Sequence, residues 1–165
     1  MRALIQRLVL VVLFGLLLST TAAAQHHPTS TSRSARPLLG PQAGLATHDF
    51  DLFIGGQFAY PVAERFDVYP SLQIYFPSGG SAWGFFAAGR WWPPLNAKSS
   101  GLYVGGGLNY ARASGGGASH SSSGLALLGG WDFKTVKARP FAELRIVVGG
   151  DYDRLDIGGG VNFKL

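Results

Sequence analysis

The sequence predicts an all-β protein, an eight-stranded antiparallel up-and-down transmembrane β-barrel. Three observations lead to this prediction. First, residues 154–165 alternate apolar with small or polar side chains, so that Leu155, Ile157 and Val161 share one face. Strand side chains have a period of two, which makes this segment a two-faced strand. Second, similar segments recur along the chain. Third, a secretion signal precedes them, which is typical of outer-membrane barrels.

The first 24 residues have the composition of a cleaved signal peptide. Arg2 and Arg7 form a basic start, residues 8–18 are uncharged and apolar, and three alanines precede Gln25. The apolar run is too short to cross a bilayer as a helix. Residues 25–35 are rich in Ser, Thr, His and Pro without periodicity, which predicts a flexible periplasmic lead-in. The barrel is therefore assigned to residues 36–165.

Seven alternating segments are clear in the barrel region, and an eighth is required by topology. The clear segments cover residues 49–60, 65–76, 81–92, 101–112, 123–133, 139–148 and 154–165. Single-chain bacterial barrels have even strand numbers, so the loosely alternating residues 36–46 are assigned as the first strand. Pro70 lies inside a clear segment and predicts a bulge or a locally missing hydrogen bond, because proline has no N–H.

An eight-stranded barrel places both of its chain ends on one side, here the periplasm, and this fixes the side of each connection. Connections near residues 47–48, 77–80, 113–122 and 149–153 are expected outside. Those at residues 61–64, 93–100 and 134–138 are expected in the periplasm. Residues 114–123 contain three glycines, five serines and one histidine. This composition has little to pack, so it predicts a flexible outer loop.

Aromatic residues lie at both ends of the apolar faces. Those expected at periplasmic ends are Tyr60, Phe66, Trp91, Trp131, Phe133 and Phe163, and those expected at outer ends are Phe50, Phe76, Trp83 and Tyr110. Amphipathic rings favour the headgroup level of a bilayer, so two such girdles indicate that lipid covers the apolar face. A soluble ligand-binding barrel, with the same alternation turned inside out, is the alternative.

The opposite face carries charges that would be costly in a dry interior unless they were paired. These residues are Asp51, Asp67, Arg90, Glu143, Arg145, Arg154 and Asp156. Eight strands enclose a space that side chains can fill, so four acids and three bases predict an ion-pair network that plugs the lumen. A narrow channel for small or apolar solutes is the alternative if small lumen residues leave a continuous void, namely Gly105, Gly107, Ala111, Gly124 and Ala126.

Several short motifs follow one another in a recognisable order. They are GPQAGL at 40–45, LFIGG at 52–56, FDVYPSL at 66–72, LYVGGGL at 102–108, PFAELR at 140–145 and GGGVNFKL at 158–165. The series resembles the small outer-membrane β-barrels of the opacity and porin-like family. The resemblance implies an eight-stranded barrel without shared catalytic residues. Such chains often end in Phe, which the barrel-insertion machinery reads, whereas this chain ends in Leu165 with Phe163 two residues earlier.

His120 and Ser122 are the strongest candidates for catalysis. The His-x-Ser spacing resembles that of outer-membrane lipid A deacylases, in which a histidine activates a serine. Such a base needs an orienting carboxylate, and lipid chemistry needs a membrane-facing group. Glu64 is expected in a periplasmic turn and Glu143 in the lumen, so neither is placed to help. We therefore expect no enzymatic activity, with a lipid A-modifying enzyme as the second alternative.

The composition limits cofactors and partners. The absence of cysteine excludes disulfides and thiolate metal sites. His48 with Asp49 and Asp51 is ordinary turn chemistry, and Asp151 with Asp153 supplies too few oxygens for calcium. No metal or cofactor is therefore expected. Basic residues outnumber acidic ones by 14 to 9 but are scattered, which disfavours nucleic acid. The expected partners are outer-membrane lipids and, during assembly, the barrel-insertion machinery, while the oligomeric state stays open.

Overall fold

The structure, a computed structural model, describes residues 36–47, 51–77, 80–94, 101–115, 118–133, 138–149 and 153–165. The predicted signal peptide and lead-in fall on residues 1–35 and lie outside the described residues. The same holds for His48, Asp49, Phe50 and Asp151. Among the described residues, no helix is long and apolar enough to cross a membrane.

Eight β-strands form a closed barrel in which each strand pairs with its neighbours in sequence and β8 closes on β1. All pairings are antiparallel. The predicted fold class is therefore confirmed. The strands are β1 (Leu38–Ala46), β2 (Asp51–Ala63), β3 (Phe66–Phe76), β4 (Ser81–Trp91), β5 (Leu102–Gly115), β6 (Ala118–Asp132), β7 (Ala138–Val148) and β8 (Arg154–Lys164).

The strands are staggered around the barrel. Paired residues can be followed from strand to strand around the barrel, and the row that starts at Ala46 on β1 reaches β2 at Pro61. Extending the β1–β2 register by two residues beyond Leu38↔Ala59 places Pro61 opposite Arg36. A full circuit therefore descends ten residues along the chain, from 46 to 36. Such a stagger requires strands tilted by about 35–45° from the barrel axis. The row between those ends contains Asp156, Arg145, Leu128, Gly105, Arg90 and Asp67.

The irregularity predicted at Pro70 is present as an interrupted ladder. Pairing between β2 and β3 steps from Gln57↔Ser71 to Tyr60↔Val68, so Pro70 lies where that ladder lacks paired residues. On its other side Pro70 pairs regularly with Ala87. The register shift on β2 lies nearer the turn, between Pro61 and Ala63.

The prediction of a flexible outer loop at residues 114–123 is wrong for all of them except 116–117, which lie outside the described residues. β5 continues to Gly115 and β6 begins at Ala118, and the two strands pair as far as Gly115↔Ala118. Pairing of Ser81 with Ser114 supports β5 from its other side. Small serine, glycine and alanine side chains do not prevent a strand when backbone partners are available on a neighbouring strand, which composition alone does not reveal.

The outward face of the barrel is apolar and exposed. Leu52, Leu72 and Leu108 are 61%, 53% and 65% exposed, and many other large apolar residues share this face. The charged residues Asp67, Arg90 and Glu143 instead lie buried inside. A soluble monomer rarely exposes so large an apolar surface. The soluble barrel, which needs the opposite arrangement, is therefore excluded.

Candidate functional site

The described aromatic residues that were assigned to the girdles are all at least partly exposed. The outer and periplasmic ends of the barrel are those of the predicted orientation. Trp83 and Tyr110 contact each other near the outer end, with ring centroids 5.6 Å apart. At the periplasmic end the ring of Phe66 covers Gly89, a position where a side chain would collide with it. The residues that are more than a third exposed are Tyr60, Phe66, Phe76, Trp83, Trp91, Tyr110, Phe133 and Phe163, and Trp131 is partly exposed.

Three of the groups of charges in the described part of the lumen involve the predicted residues, and the first joins Asp67 of β3 to Arg90 of β4. Arg90 donates Nε to Asp67 Oδ1 at 3.0 Å and Nη2 to Asp67 Oδ2 at 3.2 Å. This bidentate geometry is the strong form of an arginine–carboxylate pair. The guanidinium carbon also lies 4.3 Å from the Tyr69 ring centroid, 5.2 Å from Tyr103 and 5.3 Å from Trp92. Cation–π attraction therefore supports the ion pair.

The second group centres on Glu143 of β7. Its carboxylate accepts hydrogen bonds from the Tyr69 hydroxyl at 2.8 Å, the Tyr103 hydroxyl at 3.1 Å and Arg145 Nη2 at 2.9 Å. Arg145 Nη2 also donates to the Tyr69 hydroxyl, and its guanidinium lies 4.0 Å from the Phe86 ring centroid. These contacts join β7 to β3, β4 and β5, which are not its neighbours in the sheet. The Glu143 group therefore crosses the lumen.

The third group lies towards the outer end. Arg154 pairs with Asp156 of the same strand, with Nε to Oδ1 at 2.8 Å. It also donates to the Tyr75 hydroxyl at 3.0 Å and to Asn109 Oδ1 at 3.5 Å. Arg145 Nη1 lies 3.9 Å from Asp156 Oδ2, so Asp156 connects this group with the Glu143 group.

Two charged lumen residues were missed in the sequence, and one predicted residue stands apart. Asp132 and Arg139 lie buried near the periplasmic end with Oδ2 and Nη1 3.9 Å apart. Each lies an even number of residues along its strand from the other lumen-facing residues, so the alternation in the sequence could have identified them. Asp51 lies on the lumen face but forms no ion pair with a described residue. It is the first residue of β2, at the outer rim and beyond the three groups.

Aromatic rings fill the space that lumen glycines leave. The Tyr103 ring lies against Gly130, the Phe53 ring against Gly44 and Gly158, and the Phe141 ring against Gly160. A side chain at any of these glycines would collide with the ring. A cavity between Gln42, Phe53, Phe141, Glu143, Arg145 and Asp156 has a volume of about 10 Å³, the space of about one water molecule.

Two adjacent glycines on β6 provide a test of this packing. Gly130→Ala is expected to destabilise the barrel by about 1–3 kcal/mol, because the new methyl group would collide with the Tyr103 ring, which is bound to Glu143, and with the backbone carbonyl oxygen of Ala142. Gly129→Ala is the matched control. Its methyl group would have its nearest contact 4.0 Å away, so a change of about 0.5 kcal/mol or less is expected. Urea unfolding in bilayers measures both. Equal effects would contradict this packing role for Gly130.

The candidate catalytic pair lies in the extended hairpin of β5 and β6. His120 pairs with Ala113, and Ser122 pairs with Ala111. In the alternation along β6, both lie on the face of the lumen residues rather than on the membrane-facing side. Their Cα atoms are about 6.7 Å apart, as expected for alternate residues of a strand. Among the described residues, no group of three or more His, Asp or Glu side chains could hold a metal ion.

A closed eight-stranded barrel with an apolar belt, two aromatic girdles and a charged, filled interior defines a small outer-membrane β-barrel. Solved structures of such barrels share this fold. The N-terminal β-barrel domain of Pseudomonas aeruginosa OprF is 18% identical with a TM-score of 0.57, covering 78% of this chain and 97% of that one. Neisserial surface protein A is 17% identical with a TM-score of 0.59, covering 80% and 98%.

A third similar structure is Ail, the attachment invasion locus protein of Yersinia pestis. It is 14% identical with a TM-score of 0.49, covering 79% of this chain and 97% of that one. No family model and no curated protein sequence matches the chain. The barrel fold agrees with the resemblance to the opacity and porin-like barrels.

Proposed function

We propose that this outer-membrane barrel is non-enzymatic, has a closed lumen, and has a structural or surface-interaction role. The observation that carries the proposal is the Glu143 group, in which Tyr69 and Tyr103 reach a carboxylate on a strand that is not their neighbour. A water-filled pore needs a continuous gap along the axis. Side chains that hydrogen-bond across the lumen occupy that gap.

The layered arrangement of the interior supports the closed lumen. Arg90 with its three rings fills the periplasmic half, and Phe86 and Arg145 fill the middle. Each arginine of the three groups has a carboxylate partner within 4.0 Å. A solute would have to separate these pairs in a site where uncompensated charge is costly.

Planar-bilayer recording tests the closed lumen. The purified mature protein is expected to show no steady conductance, because the rings and ion pairs block the axis. A variant with Tyr69→Ala, Phe86→Ala and Tyr103→Ala is expected to conduct. Leu108→Ala on the outward face is the control and should stay closed. Steady conductance of the unmodified protein would support the narrow-channel alternative and overturn this proposal.

The outward face defines the proposed partners. Outer-membrane lipids would cover the apolar belt between the girdles, and the insertion machinery would read the C-terminal strand. Phe163 is exposed on β8, and the Leu165 backbone N–H donates to the Pro37 carbonyl at 3.0 Å. β8 thus presents an aromatic residue on the outward face.

A further inference from the structure

β8, the strand that closes the barrel on β1, has glycines at two of its lumen positions. Gln42 of β1 pairs with one of them, Gly160, and Glu143 of β7 pairs with the other, Gly158. Side chains of β1 and β7 therefore reach the same space over β8. Aromatic rings cover part of this space, and the cavity of about 10 Å³ remains, with Gln42, Glu143 and Arg145 in its lining.

Buried nitrogen atoms without hydrogen-bond partners belong to two residues that line this cavity. They are Nε2 of Gln42, which is 5% exposed, and both Nε and Nη1 of Arg145, which is 3% exposed. None of these atoms has a partner among the described residues. An unsatisfied buried donor is costly, so native proteins pair such groups with protein atoms or with ordered water. The cavity has about the volume that one water molecule needs.

Carboxylate groups line the cavity as well. Arg145 Nη1 lies 3.9 Å from Asp156 Oδ2, which is too far for a direct hydrogen bond. A water molecule between two polar atoms at this separation can accept from the guanidinium and donate to the carboxylate. Glu143 supplies the second carboxylate. The lining therefore suits a ligand that both accepts and donates hydrogen bonds.

We propose that this cavity binds one water molecule, which accepts hydrogen bonds from Gln42 Nε2 and Arg145 Nη1 and donates one to Asp156 Oδ2. Buried waters typically make about three hydrogen bonds. A chloride ion would suit the two donors, but it would lie beside the carboxylates of Glu143 and Asp156. A metal cation would lie beside the guanidinium of Arg145. Water carries no net charge and avoids both repulsions.

The bound water would connect the first strand with the charged network of the last two. Gln42 lies on β1, whereas Arg145 and Asp156 lie on β7 and β8. One water molecule thus joins three neighbouring strands where the barrel closes. The inference rests on the closed lumen, because a conducting lumen would fill this site with exchanging pore water.

Nuclear magnetic resonance of the isotope-labelled mature protein in detergent micelles tests the inference. The side-chain amide signals of Gln42 are assigned by their loss in Gln42→Met. We expect a rotating-frame Overhauser signal between this amide and water, with the sign of direct contact rather than of proton exchange. Absence of this signal in the folded protein would overturn the inference.

Gln42→Met also distinguishes a water-bound amide from an unsatisfied one by the sign of its effect on stability. Methionine has a similar length but no N–H donor. Loss of a water-bound amide is expected to lower the equilibrium constant for folding about five- to tenfold, as measured by urea unfolding. Removal of an amide without any partner would leave this constant unchanged or raise it, and either result would contradict the bound water.

Ser71→Ala is the matched control for Gln42→Met. Ser71 Oγ is also buried without a partner among the described residues, but Ser71 is not part of the cavity lining. Its replacement is expected to lower the equilibrium constant for folding by no more than about twofold. Equal losses in the two variants would argue against a special role of the cavity and overturn the inference.

Two further measurements separate the water from an ion and from an open pore. The urea midpoint is expected to be the same in sodium chloride and in sodium acetate of equal concentration. A midpoint that rises with chloride alone would identify a bound ion and overturn the inference. Conductance in planar bilayers would overturn the closed lumen together with the water site, whereas a closed barrel without the amide–water signal would overturn the water site alone.

Discussion

Glu143→Ala is expected to lower the free energy of unfolding by about 3–5 kcal/mol, the cost of leaving a buried charge without its partner. Arg145 is 3% exposed, and its nearest carboxylate is Glu143 at 2.9 Å. The substitution also removes the acceptor for the hydroxyls of Tyr69 and Tyr103. Asp156, at 3.9 Å, is already paired with Arg154 and is a poor replacement.

Urea unfolding in lipid bilayers, followed by tryptophan fluorescence, measures this effect. Glu64→Ala in the exposed turn between β2 and β3 is the control, and a change within about 0.5 kcal/mol is expected. Replacing both members of the pair, Glu143→Leu with Arg145→Met, should restore most of the loss because no unpaired charge remains. A loss below about 1 kcal/mol for Glu143→Ala would mean that the pair is not the centre of the interior network.

The barrel could be predicted because successive residues of each strand face two different environments, the lipid and the lumen. Alternation along residues 154–165 predicted a strand that the structure places at Arg154–Lys164. The alternation within each strand then assigned every side chain to the lipid or to the lumen, and it placed Asp67, Arg90 and Glu143 in the lumen. The same alternation would have assigned Asp132 and Arg139 to the lumen, had it been applied to every charged residue.

The contacts within the lumen were not predictable in the same way. The hydrogen bonds of Glu143 with Tyr69 and Tyr103 span 74 and 40 residues. They depend on closure and stagger, which bring distant strands face to face and which alternation does not encode. The end of the β5–β6 hairpin was predicted wrongly for a different reason. Its serine and glycine composition is typical of a loop, but the two strands pair with each other, and β5 pairs with β4, so the strands continue through this segment.

Leu72→Arg is expected to destabilise the barrel by about 2–4 kcal/mol, the cost of a basic side chain at the bilayer midplane. Leu72 is on the outward face near the middle of β3, and it is 53% exposed. In water this exposure would make arginine acceptable. In the membrane the guanidinium must lose hydration or distort the surrounding lipid.

Phe76→Arg is the matched control for Leu72→Arg, because Phe76 has the same strand, the same face and a similar exposure of 55%. It lies at the outer end of β3, where basic residues cost only about 0–1 kcal/mol. Reversible urea unfolding in phospholipid vesicles compares the two variants. The depth of each position, rather than its exposure, should set the size of the effect. Similar losses for both variants would contradict a bilayer centred on Leu72.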